Sequence, residues 1–212
     1  MRIRFFRRWI IAVTLGETLG FTIAAVVGGT LASASAPATL VYPVMIAAGA
    51  VEGACLGAGQ VAGFGKPAPV PPNRWIAATA SGAAAAWAIG LLPSTATGFT
   101  VDNGLAVVLT VLGAVTLLAS IPVLQWAVLR RSIRPASFWI PANMAGWAVG
   151  ILWTLAPSPV IDETTPFWAI LALFAIAGLL MAVTVATITA FAARMVVRSA
   201  RPRGEHHEIA LG

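Results

Sequence analysis

The sequence predicts an all-α membrane protein: six transmembrane helices folded as three hairpins of one orientation, with both termini on the cytoplasmic side. Three observations carry that expectation. Charged residues make up only 9% of the chain and hydrophobic ones 59%, with a mean hydropathy of +0.90. A soluble domain needs about a quarter charged residues to cover its surface, so the solvent around most of this chain is lipid. All 13 Lys and Arg lie outside the apolar stretches, and they fall on one side of them. A tryptophan-led pattern also returns three times.

A hydrocarbon core of about 30 Å takes about 20 apolar residues per helix. Six stretches qualify: 9–31, 41–64, 75–92, 105–129, 138–156 and 167–193. The joints between them carry prolines, glycines or charges, as at Gly65 to Pro72 and Arg130 to Pro135. The first stretch follows four arginines and ends near Ala32-Ser33-Ala34, which has the look of a signal peptide and its cleavage site. Its run of about 23 residues exceeds the usual 7 to 15, and Glu17 interrupts it, so it is read as the first helix. Residues 1–212 form a single transmembrane domain, ending in a polar cytoplasmic tail over 194–212.

Alternating the loops across the membrane sorts the charges. Arg2, Arg4, Arg7, Arg8, Lys66, Arg74, Arg130, Arg131, Arg134, Arg194, Arg198, Arg201 and Arg203 fall on one side. The other side holds only Asp102, Asp162 and Glu163. Basic loops face the cytoplasm. Trp9, Trp75, Trp126 and Trp139 then sit at inner helix ends and Tyr42, Trp87, Trp153 and Trp168 toward outer ends, where amphipathic rings occupy the headgroup level. The abundance of Arg, Ala and Gly points to a GC-rich bacterial source, hence a multi-pass protein of the bacterial cytoplasmic membrane.

The repeat is anchored on Arg8-Trp9-Ile10, Arg74-Trp75-Ile76 and Phe138-Trp139-Ile140. Three residues past each Trp comes Ala12, Ala78 or Ala142, and seven past it Gly16, Gly82 or Gly146. Gln60 and Gln125 precede the second and third Trp by 15 and 14 residues, whereas the sixth helix has no such Gln. The unit is a hairpin over about 9–64, 75–129 and 138–193. Each copy starts and ends on the same side, so the copies are related by an axis along the membrane normal. The mitochondrial-carrier signature is absent. The pattern Gln125-Trp126, Leu129-Arg130, Trp139-Ile140 and Asn143 to Trp147 resembles that of a family of bacterial multi-span membrane proteins without an assigned activity. The likeness covers mainly the fourth and fifth helices. It implies a membrane fold built from such hairpins and no chemistry.

Small residues predict how the first hairpin packs. Gly16, Gly20, Ala24 and Gly28 recur at every fourth position of the first helix, and Gly49, Gly53 and Gly57 do so on the second. Such rows let helix backbones approach closely. Equal depths predict that Gly16 meets Gly57, Gly20 meets Gly53 and Ala24 meets Gly49. Gln60, Gln125 and Asn143, near inner helix ends, are expected to hydrogen-bond between helices.

Glu17 and Glu52 are the acidic residues inside the spans, with no Lys, Arg or His in any span to pair with them. A carboxyl in lipid costs roughly 2.5–3.5 kcal/mol on insertion scales and marks a pathway or a paired site. The pair either binds a proton or cation, or ties two helices together as neutral, hydrogen-bonded carboxyls. The helix rise puts Glu52 about 6 Å deeper than Glu17, within reach of two long side chains.

No catalytic constellation is present. The two histidines, His206 and His207, lie in the tail, and the single Cys55 sits in an apolar stretch. Neither a metal motif nor a phosphate-binding loop occurs, so no cofactor is expected. No basic run interleaves with aromatics on a polar domain, which excludes a nucleic-acid partner. The expected partners are the bilayer, with anionic phospholipid at the arginine-rich face, and a second membrane protein or another copy of the chain. These readings favour a non-enzymatic scaffold, assembly factor or accessory subunit. The alternative is a small transporter or channel coupled to a proton or cation through Glu17 and Glu52. A dry, filled bundle distinguishes the first, and a continuous polar cavity reaching the carboxyls distinguishes the second.

Overall fold

A computed structural model describes residues 2–95, 104–162 and 164–200. It holds six α-helices: α1 Arg2–Ser33, α2 Ala38–Phe64, α3 Pro72–Thr95, α4 Gly104–Leu129, α5 Trp139–Leu155 and α6 Phe167–Ser199. Thr97, Asp102, Glu163 and the tail from Arg201, with its two histidines, lie outside the described residues. Among the described residues five helices, all but α5, are long and apolar enough to cross a membrane. The fifth expected span is cut to 17 residues by Pro157, and a short 3-10 turn, Ser158–Val160, follows it. The last helix runs on past the expected span, carrying Arg194 and Arg198 on its last turns.

Each helix packs against the next in the chain, and α6 closes the ring on α1. The α4–α5 contact is the sparsest of the six. The periphery is apolar, with Leu15, Leu19, Leu109, Leu112 and Ile176 among many exposed aliphatic side chains. Four threonine hydroxyls on that periphery are satisfied within their own helices. Thr22 donates to Thr18 O, Thr30 to Val26 O, Thr116 to Leu112 O and Thr187 to Val183 O, at 2.6–2.8 Å. A hydroxyl facing lipid has no water to bond, so this arrangement suits a hydrocarbon surround.

The chain termini mark the basic end of the ring, and here the core is aromatic. Trp9, Trp75 and Trp139 are each fully buried. Trp139 meets Trp75 at 5.4 Å and Trp9 at 6.3 Å between ring centroids, both edge to face, and Phe64 fills the space among the three. The headgroup position expected for these rings is therefore overturned. The three anchoring tryptophans converge on the ring axis because the odd-numbered helices turn the same face inward. Trp153 and Trp168, by contrast, are 40% and 72% exposed near the opposite, far end. Arg8 stabilises the basic end further. Its Nε donates to Gly63 O at 2.9 Å and one terminal nitrogen to Phe64 O at 2.6 Å, which caps the unpaired carbonyls where α2 stops at Gly65.

The glycine rows are used differently from the equal-depth pairing. A side chain at Gly16 would meet Cys55 O at 2.5 Å and Gly59 Cα at 3.2 Å, and one at Gly20 would meet Glu52 Cα at 2.7 Å. Gly49, Gly53 and Gly57 instead face α3, against Trp87, Ala83 with Thr79 O, and Ile76. The second row of α2, Gly59 and Gly63, receives Ala12 and Trp9 of α1. In a ring α2 has a neighbour on each side, so it needs one bare row for each. Gly82 of α3 lies against Ile121 of α4, and Gly146 of α5 against Ile188 and Thr189 of α6. The glycine seven residues past Trp9 and Trp75 is thus a point of close approach, whereas on α5 the tight position is Gly150, where a side chain would meet Val185 Cγ2 at 2.7 Å.

Candidate functional site

Directly behind the tryptophans lies a layer of polar side chains. Trp75 Nε1 donates to Gln60 Oε1 at 2.8 Å, and Trp139 Nε1 donates to Gln125 Oε1 at 2.9 Å. Gln125 Nε2 in turn donates to Gln60 Oε1 at 2.7 Å and to Thr79 Oγ1 at 2.9 Å. Trp9 Nε1 donates to Thr189 Oγ1 at 3.3 Å. At each of these junctions an even-numbered helix offers the acceptor and the following odd-numbered helix the indole. Thr189 of α6 serves α1 as Gln60 serves α3 and Gln125 serves α5. Gln60, Gln125, Thr79 and Thr189 are all buried, so the layer ties α2, α3, α4 and α5 together and α6 to α1 by bonds with no water to replace them. Asn143 differs from the expectation of a bond between helices. Its Nδ2 donates one turn back to Trp139 O at 3.0 Å, and its buried Oδ1 has no hydrogen-bond partner.

Glu17 stands 8 residues past Trp9 on α1, about 12 Å farther along the axis. The close approach at Gly20 brings the α2 backbone at Glu52 against α1, and the two carboxyls come within hydrogen-bonding reach of each other. Glu52 Oε2 accepts from Trp87 Nε1 of α3 at 2.8 Å. Glu17 is fully buried, and neither of its oxygens receives an N–H or O–H from any other side chain or backbone group. Two carboxylates cannot both stay ionised side by side away from water. At least one proton on Glu17 or Glu52 satisfies the geometry, and two leave the pair uncharged.

Both carboxyls form part of the wall of a cavity of about 670 Å³ in the far half of the ring. All six helices line it, from Glu17, Glu52 and Gly53 at its floor to Ala32, Leu91, Thr154 and Phe167 at the level of the far helix ends. The space exists because α1 contributes only Ala24, Ala25, Gly28, Gly29 and Ala32 to its upper wall. Gly28, expected in a packing row, here leaves room, with Met45 at 3.5 Å from where its side chain would start. The rest of the wall is aliphatic and aromatic.

The sequence reading expected Gln60 and Gln125 to bond between helices but missed their indole partners, the third acceptor Thr189 and the cavity. Thr189 had a signal: Gln125 follows Gln60 by 65 residues, and Thr189 follows Gln125 by 64. No family model, curated protein or solved structure matches this chain. The geometry of the site is therefore the ground for a functional reading.

Proposed function

We propose that this chain is a six-span carrier of the bacterial cytoplasmic membrane that takes up a proton or cation at Glu17 and Glu52. The observation that carries the reading is the cavity with both carboxyls in its wall, although it is apolar where a polar passage was the expected mark of a transporter or channel. A scaffold or accessory subunit that works by packing alone is better served by a filled bundle, and a tie between helices needs no chamber beside it. The cavity is more apolar than a simple ion path would be, so it suits a carrier better than a channel.

Orientation follows from charge. The thirteen basic residues on one side of the spans support a cytoplasmic basic end, with α5 and its flanking turn read as the fifth span. The cavity then faces away from the cytoplasm, and the Trp–Gln layer seals its inner side. The indole and amide bonds at the three junctions support the reading of three parallel hairpins about one axis. The arginine-rich inner rim suits anionic phospholipid.

The test is modification by dicyclohexylcarbodiimide, an apolar reagent that attacks protonated carboxyls. In native membranes it is expected to form an adduct on Glu17 or Glu52, located by peptide mass spectrometry and absent from the Glu17→Gln, Glu52→Gln double variant. Absence of an adduct on both peptides, with a water-soluble carbodiimide still modifying Asp162, returns the pair to a purely structural role.

A further inference from the structure

We infer that the cavity binds a lipophilic monocation, an apolar body with a single positive charge, with the charge seated against Glu17 and Glu52. This rests on the carrier reading and adds to it the chemical class of the substrate. The wall excludes most alternatives. Among the described residues its acidic groups are the two carboxyls and none of its lining is basic, so an anion has no partner there. Apart from the carboxyls and Thr154, the side chains are aliphatic, aromatic or thioether, so a sugar or other polyhydroxylated solute would lose its water without recompense. A bare metal ion fares no better. Calcium takes six to eight oxygen ligands and magnesium an octahedral set, and among the described residues no cluster of three or more acidic, Cys or His side chains exists.

A lipophilic cation meets each feature that remains. Phe21, Trp87, Trp147, Phe167 and Phe174 surround the chamber with aromatic faces, which attract cations as well as apolar surface. The volume of about 670 Å³ falls within the roughly 300–1,000 Å³ of sites that enclose drug-sized ligands. Glu52 has one oxygen engaged by Trp87, while Glu17, fully buried, keeps both oxygens without a donor from elsewhere in the chain. That unmatched acceptor is what a buried ammonium or phosphonium would neutralise. Charge balance fixes the stoichiometry. With two protons the pair is neutral; after losing one it carries a single negative charge, which one monocation offsets.

Binding is therefore an exchange of one proton for one cation. The groups that could share in it are few: Glu17 from α1, and Glu52 from α2 with the Cys55 thiol nearby. Among the described residues the walls from α3, α4, α5 and α6 bring no titratable group.

The experiment uses the full-length protein in lipid nanodiscs and tetraphenylphosphonium as the probe, with tetraphenylborate as a control of the same shape and opposite charge. Saturable one-to-one phosphonium binding is expected, measured by calorimetry in two buffers of different ionisation enthalpy. It should release about one proton and tighten by about tenfold per pH unit while the pair is still protonated. It should also protect Glu17 and Glu52 from dicyclohexylcarbodiimide, and weaken at least tenfold in the double Gln variant. Equal binding of the borate, or phosphonium binding indifferent to pH, overturns the inference, and both readouts use the unaltered chain. Carbodiimide adducts that form without phosphonium binding sink the substrate class and leave the proton-carrying reading standing. Loss of both adducts and binding removes both.

Discussion

Replacing Gln125 with Leu tests the layer that holds the ring together. The substitution nearly preserves volume and deletes three hydrogen bonds: two donated by Gln125 Nε2, to Gln60 and Thr79, and one accepted by Oε1 from Trp139. Gln60 keeps its bond from Trp75, and Thr79 keeps its own bond to Trp75 O at 2.8 Å. The chief orphan is therefore the Trp139 indole N–H, which is fully buried. Hydrogen bonds between helices in membranes average about 0.6 kcal/mol in mutant cycles, so three deletions predict a loss of about 2 kcal/mol. Thr189→Val is the matched comparison. It removes one longer bond, 3.3 Å from Trp9, and predicts a loss of about 0.6 kcal/mol or less. Reversible unfolding in mixed micelles, followed by tryptophan fluorescence, gives both values. Combining Gln125→Leu with Trp139→Phe should recover a coupling of about 0.6 kcal/mol. If Thr189→Val costs as much as Gln125→Leu, or if the Gln125 and Trp139 changes simply add, the layer does not act as described.

Three other outcomes follow from the same structure. Gly53→Ala places a Cβ 2.5 Å from Ala83 Cβ and 2.7 Å from Thr79 O, and the overpacking predicts a loss of about 1–3 kcal/mol. Gly113→Ala, whose Cβ has its nearest neighbour at 3.9 Å, should change stability little in the same micelle unfolding assay that checks Gly53→Ala. Cysteines placed at Ser35, Thr97 and Ser158 should all react with a membrane-impermeant maleimide from outside intact cells, and cytoplasmic labelling at any one would break the six-span topology. Arg74 and Arg131 line a recess of about 520 Å³ at the basic end. Neutralising both with Gln should lower the anionic lipid retained in native mass spectrometry, whereas unchanged retention would assign these arginines to topology alone.

Helix positions were the most legible part of the fold. The expected spans 41–64 and 105–129 correspond to α2 Ala38–Phe64 and α4 Gly104–Leu129, because lipid forces backbone hydrogen bonds inside each segment and apolar length then marks the helix. Contacts between helices were less legible. Gly53 and Gly59 lie on different faces of one helix, and spacing alone does not say which face meets α1. The ring decides that, and it depends on α6 returning to α1. The tryptophans were misplaced for a related reason: an indole suits a headgroup region and an aromatic core equally well, and only the threefold recurrence of Trp9, Trp75 and Trp139 hinted at a shared centre. Glu17 and Glu52 stood out because lipid penalises charge, and their proximity followed from helix rise. The cavity beside them was hidden, since a void has no residue of its own. Its trace was the excess of Ala and Gly after Phe21, which reads identically as tight packing.

On the carrier reading, the uneven grip around the ring has a consequence for how a guest would arrive. Between α1, α2 and α3 the backbones touch through bare glycine rows on both sides of α2, so a shift of even one methyl group's width in that wall makes atoms collide. Across the ring, α4 shows aliphatic side chains along much of its length and meets α5 only sparsely. Parting that seam therefore disturbs the fewest contacts, and what lies beyond it is acyl chain rather than water. A molecule entering there comes from the lipid phase, where an amphiphile is far more concentrated than in the surrounding medium. Its apparent affinity would then be the product of two quantities, partition into the leaflet and capture from it. Across a homologous series of guests the first factor would rise with chain length even where the second stays constant.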